Sequence, residues 1–125
     1  SLRLVAYQLR RWPAVGLAGG EGALLSYWVI SAPVREDLHF SLATTSSRSG
    51  AISGIRPDAA AGPLWYPTSE WQPDETLQLE MPIQGLAAVR ALGVEVTRAS
   101  GEPLAADGPV DLWQGGAIAK VVQVQ

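Results

Sequence analysis

Apolar and polar residues alternate along most of this chain, in runs too short for helices. Leu2 to Arg10 alternates roughly and predicts a first strand, ended by Trp12-Pro13. Ala23 to Ile30 carries the strongest strand signal. Leu24, Ser26, Trp28 and Ile30 fall on one face, and Leu25, Tyr27 and Val29 on the other. Both faces are largely apolar, which predicts a central strand whose second face meets a loop, a neighbouring domain or a ligand. Asp37 to Thr44 places Leu38, Phe40 and Leu42 inward and Asp37, His39 and Ser41 outward. Ala51 to Ile55 reads as a short extended piece closed by Arg56-Pro57-Asp58. Thr76 to Met81 alternates again, with Leu77, Leu79 and Met81 inward. A turn and a strand over Leu92 to Thr97 follow, then a short piece near Val110 to Trp113 and a last strand over Ala117 to Gln125.

The most distinctive segment follows Arg56-Pro57-Asp58 and feeds into the strand at Thr76. Pro63 to Pro82 holds four prolines and two tryptophans. Each proline removes a donor and pushes the preceding residue extended, so a helix is excluded across most of it. Gln72-Pro73-Asp74-Glu75 fits a β-turn with proline at its second position. Seven to nine short strands with turn signals at roughly ten-residue spacing predict one all-β domain over residues 1–125. The expected architecture is a two-sheet antiparallel β-sandwich, immunoglobulin-like or jelly-roll-like.

Composition narrows the function classes. Only 17% of the residues are charged and 47% are apolar, as in a folded globular domain. A net charge of −3 offers no basic footprint for nucleic acid. Arginine outnumbers lysine eight to one, which with the abundant Ala and Gly fits a GC-rich bacterial genome. The absence of cysteine removes disulfides, Cys-zinc sites and a thiol nucleophile together. No apolar run approaches the roughly 20 residues of a membrane span. A strand pattern beginning at Leu2 and ending at Val124 is what a domain excised from a longer protein would show.

Trp71, with Pro67-Thr-Ser before it and Pro73-Asp-Glu after it, resembles a recurring pattern of proline-threonine, tryptophan, then proline-glycine-glutamate before a strand. That pattern is similar to the β-sandwich domains found outside the membrane at the end of bacterial multi-spanning proteins of the glycosyltransferase type. The Tyr27-Trp28 strand, Leu38 to Leu42 and Leu92-Gly93-Val94 fall in matching order. Asp74 replaces the usual glycine, so a type I turn is expected in place of type II. Ser41 stands where a histidine is common, and the tyrosines flanking the late glycine strand are absent. The resemblance implies an extracytoplasmic, non-catalytic domain tethered to a membrane protein that handles lipid-linked sugars. Its partner would be the membrane-embedded part of the same parent protein or a cell-surface partner. No catalytic residue, metal or cofactor comes with it.

The candidate site residues each have a structural and a functional reading. Trp65, Tyr66 and Trp71 on a proline-stiffened loop could form a carbohydrate platform, since aromatic rings stack on sugar faces. The structural reading plugs the core with Trp71 and covers a sheet edge with Trp65. Leu25, Tyr27 and Val29 form a candidate interaction face. Trp28 reads as core, and Trp12 and Trp113 as caps at the ends of the sandwich. Gly19-Gly20-Glu21-Gly22 lacks the lysine and helix of a phosphate loop and reads as a plain hairpin or crossing loop. His39 is alone, without a nucleophile elbow or the partners of a metal site. Glu36, Asp37, Glu70, Asp74 and Glu75 lie near turns, where acids cap amides. A glycan hydrolase would need two of them facing one another across a cleft. Asp107 and Asp111 beside Gly108 are too few for a calcium loop.

Overall fold

A computed structural model describes residues 2–12, 21–45, 54–85, 89, 91–102, 111–112 and 118–123. Among the described residues, eight strands form two antiparallel sheets. The first joins β1 (Leu2–Trp12), β2 (Glu21–Ile30) and β5 (Leu77–Gln84), in that order. The second runs β4 (Gly54–Arg56), β3 (His39–Thr45), β6 (Ala91–Thr97), β8 (Ile118–Gln123) and β7 (Asp111–Leu112). Trp12 pairs with Glu21, so the glycine-rich stretch between them joins the two arms of a hairpin. β2 is the central strand of its sheet, as its two apolar faces require.

One core lies between the sheets. Leu4, Leu24, Trp28, Leu79, Met81 and Ile83 come from the first, and Phe40, Leu42, Leu92, Val94 and Val96 from the second. Alternation is cleanest in β5, where Leu79, Met81 and Ile83 are buried and Gln78, Glu80, Pro82 and Gln84 are exposed. In β1 the register shifts between Leu4 and Ala6. This bulge moves the inward set from even positions (Leu2, Leu4) to odd ones, so Leu9 faces the same side, opposite Leu24. It also explains why that strand alternates only roughly in sequence.

Two details depart from the strand pattern. Ser41, expected on the outer face, is only 7% exposed, and the next outer residue, Ala43, is fully buried. Both lie in a strand flanked by β4 and β6, where small side chains between neighbouring strands are screened from water. Ser26, on the core face, is fully buried, and its hydroxyl accepts the Trp28 indole N–H at 2.8 Å. A buried indole donor needs such a partner, so this serine fixes the ring rather than disturbing the core. Ser26→Ala should therefore lower unfolding free energy by about 1–3 kcal/mol, because the Trp28 donor is left unpaired. Urea denaturation with an unchanged m-value is the check.

Candidate functional site

The proline-rich crossing carries the chain from β4 back to β5, from one sheet to the other. It contains two short helical turns where the prolines predicted an extended path. One is α1 (Gly62–Trp65) and the other a 3₁₀ turn at Thr68–Glu70. Proline did not prevent them because Pro63 occupies the first turn of α1, where its missing N–H has no intrahelical partner to lose. Pro67 sits just before the 3₁₀ turn, in extended geometry. The β-turn at Gln72 to Glu75 forms as expected, with Glu75 N–H donating to the Gln72 carbonyl at 3.1 Å. Asp58 is the one non-glycine residue at positive φ among the described residues, so Asp74 does not adopt a type II turn.

Three side chains pin this segment. Trp71 is 1% exposed, stacks on Phe40 at a centroid distance of 5.8 Å, and donates its indole N–H to the Tyr66 carbonyl at 2.9 Å. Phe40 in turn meets Trp28 edge-on at 5.2 Å, so three rings run through the core. Thr68 is fully buried. Its hydroxyl accepts the Leu38 N–H at 2.8 Å and donates to the Glu36 carbonyl at 2.7 Å. These two hydrogen bonds hold the crossing to the connection between β2 and β3. Tyr66 is half-buried, and its hydroxyl lies 2.5 Å from a Glu75 carboxylate oxygen and 2.9 Å from the Glu70 carbonyl. The same Glu75 oxygen accepts the Gln72 N–H at 2.9 Å.

The three aromatic residues therefore do not form one platform. Trp71 has no free face for a sugar, and Tyr66 has its polar end engaged. Trp65 is 86% exposed, and its neighbour Leu64 is 68% exposed. Sequence reasoning placed Trp65 in the pattern but missed Leu64, whose position at the tip of α1 follows from a helical turn the prolines seemed to exclude. Thr68 was visible only as part of a motif, since a threonine's two hydrogen bonds depend on a chain 30 residues away.

The other candidates divide in the same way. On the outer face of β2, Leu25 is 3% exposed, while Tyr27 and Val29 are half-buried. Gln8 and Glu80 flank Leu25 in register, and Gln78 Nε2 donates to the Tyr27 hydroxyl at 2.9 Å. The open part of that face thus reduces to Tyr27 and Val29. His39 Nδ1 lies 2.8 Å from Asp58 Oδ1, a partner supplied by the turn after β4. Glu36 pairs with Arg98 at 2.7 Å, and the Asp37 carboxylate faces the Ser69 N–H at 3.4 Å. No group of three or more His, Asp or Glu side chains is placed to hold a metal among the described residues. Asp107 and Trp113 lie outside the described residues, as do the side chains of Trp12 and Asp111.

Glu75 also sets the titration of Tyr66. The hydrogen bond to that carboxylate, aided by desolvation and the charges of Glu75, Glu70 and Asp74, raises the phenol from 10.0 to about 12. The folded chain holds this proton more tightly than the unfolded chain does. The resulting stabilisation is complete below pH 10.0 and is lost as pH rises toward about 12. Near-ultraviolet absorbance should show one late-titrating phenol that disappears in Tyr66→Phe, and Glu75→Gln should bring it back toward the ordinary range. No known protein-family model, curated protein or solved structure matches the chain.

Proposed function

We propose that this chain is a non-catalytic interaction domain, displayed outside the cytoplasm by a bacterial membrane-anchored protein concerned with lipid-linked sugars. Its contact point is the Leu64-Trp65 tip. The observation that supports this reading is the contrast within one loop. Trp71, Thr68 and Tyr66 are held by the core or by hydrogen bonds, whereas Trp65, the next large ring, stands in water. An exposed tryptophan on a pinned loop is pre-organised for binding, because little conformational freedom remains to be lost on contact. Tryptophan is also among the residues that most often dominate contact energy. The acids near the turns serve local structure: Glu36 holds Arg98, Asp37 faces Ser69 N–H, and Glu75 holds Tyr66 and Gln72.

The partner this reading favours is the membrane-embedded part of the same parent protein. A second reading takes a glycan as the partner, stacked on Trp65 alone, and the exposure of that one ring favours it. The two separate in one experiment. A photo-crosslinking amino acid at position 64 of the full-length protein in cells should capture membrane-embedded segments of its own chain. Trp65→Ala should weaken that capture and leave thermal stability nearly unchanged, within about 0.5 kcal/mol. Saturable quenching of tryptophan fluorescence by cell-surface glycans, lost in Trp65→Ala, would shift the assignment to the second reading. Absence of both capture and quenching would refute the tip as a contact point.

A further inference from the structure

On the side of the sandwich where β4 and β5 are the edge strands, the two sheets leave a cleft of about 530 Å³. It is lined by Leu42, Thr44, Gly54, Ile55, Arg56, Pro82, Ile83 and Gln84. We infer that this cleft is a binding site for a small ligand with an aliphatic body and a carboxylate head.

Leu42 and Ile83 belong to the hydrophobic core yet line this opening, so apolar side chains form part of its wall. Arg56 pairs in register with Leu42 and reaches across to the other sheet, where Nη1 donates to the Pro82 carbonyl at 2.8 Å. That bond fixes the guanidinium beside the cleft and occupies one of its five N–H donors. Among the described residues, Arg56 has no carboxylate partner, in contrast to Arg98, which is paired with Glu36. A fixed and unpaired guanidinium suits a carboxylate, which its fork can bind through two parallel bonds. An added peptide strand fits less well. Pro82 has no N–H to offer it, and the Pro82 carbonyl is already taken. The size of the cleft falls within the range of small-molecule sites. This site is separate from the Leu64-Trp65 tip, and its fate does not depend on the function proposed for that tip.

Titration of the isotopically labelled chain with octanoate, followed by amide chemical shifts, tests the assignment. Octanoate should move the Thr44, Gly54, Ile55 and Gln84 resonances saturably, and bind at least about tenfold more tightly than acetate or 1-octanol. Arg56→Met should weaken octanoate by about tenfold. Gly54→Glu serves if that variant unfolds. A Cβ at Gly54 meets Thr44 Oγ1 at 3.4 Å, an ordinary contact, and Gly54 is not left-handed, so a side chain can start there without backbone strain; two residues from Arg56 in β4, it leaves on the same face. It should abolish octanoate binding in a folded chain. Equal affinity for 1-octanol or acetate, shifts confined to other residues, or undiminished binding in Gly54→Glu would overturn the assignment.

Discussion

The packing of Trp71 against Phe40 is the contact on which the proline-rich crossing depends. A chain that leaves one sheet and enters the other must pass over an open end of the core. Here it closes that end with its own indole ring. Phe40 lies between Trp71 and Trp28, and Ser26 holds Trp28 by its N–H. Aromatic contacts of this kind add about 0.5–1.5 kcal/mol each beyond the area they bury. Losing a whole buried ring costs about 3–5 kcal/mol, a large part of the stability of a domain this size.

With Trp71 seated, the rest of the crossing follows. Thr68 falls beside Leu38 and satisfies a backbone N–H immediately before β3 begins, and Tyr66 reaches the carboxylate of Glu75 after the turn. α1, between the seated rings and the preceding turn, is left on the outside, and Leu64 and Trp65 go with it. The exposed tip is thus the geometric remainder of a crossing whose other large side chains are committed. On another side of the sandwich, Arg56 bridges the edge strands of the two sheets through the Pro82 carbonyl. Proline with its N–H missing, and a carbonyl already occupied, make that edge a poor template for strand addition.

Much of the sheet structure was legible in the sequence because period-two alternation reports burial directly. The inward faces of β2, β3, β5 and β6 could be read from Leu24, Phe40, Leu79 and Val94 and their alternate neighbours. What escaped notice depends on distance or on an exception to period. The bulge in β1 is visible only as the change from Leu2 and Leu4 to Leu9. The helical turn at Gly62–Trp65 was hidden by prolines that are harmless at helix starts. The outward face of Ser41 was legible, but its burial there depends on the strands beside it. In the candidate site, the indole of Trp71 was legible as a core plug. The exposure of Leu64, the clamp at Thr68 and the bridge at Arg56 all require knowing which distant backbone lies alongside.

Hydrogen exchange at the Leu38 amide and the Trp71 indole N–H tests most directly whether the crossing is part of the core. Both donors bond into the crossing, to Thr68 Oγ1 and to the Tyr66 carbonyl. If the seated tryptophan binds the segment to the sandwich, both exchange only with global unfolding, at the same free energy as the amides of β3 and β6. Exchange of these two groups at a much lower free energy, with the strands still protected, would show that the crossing opens independently. That result would contradict the account.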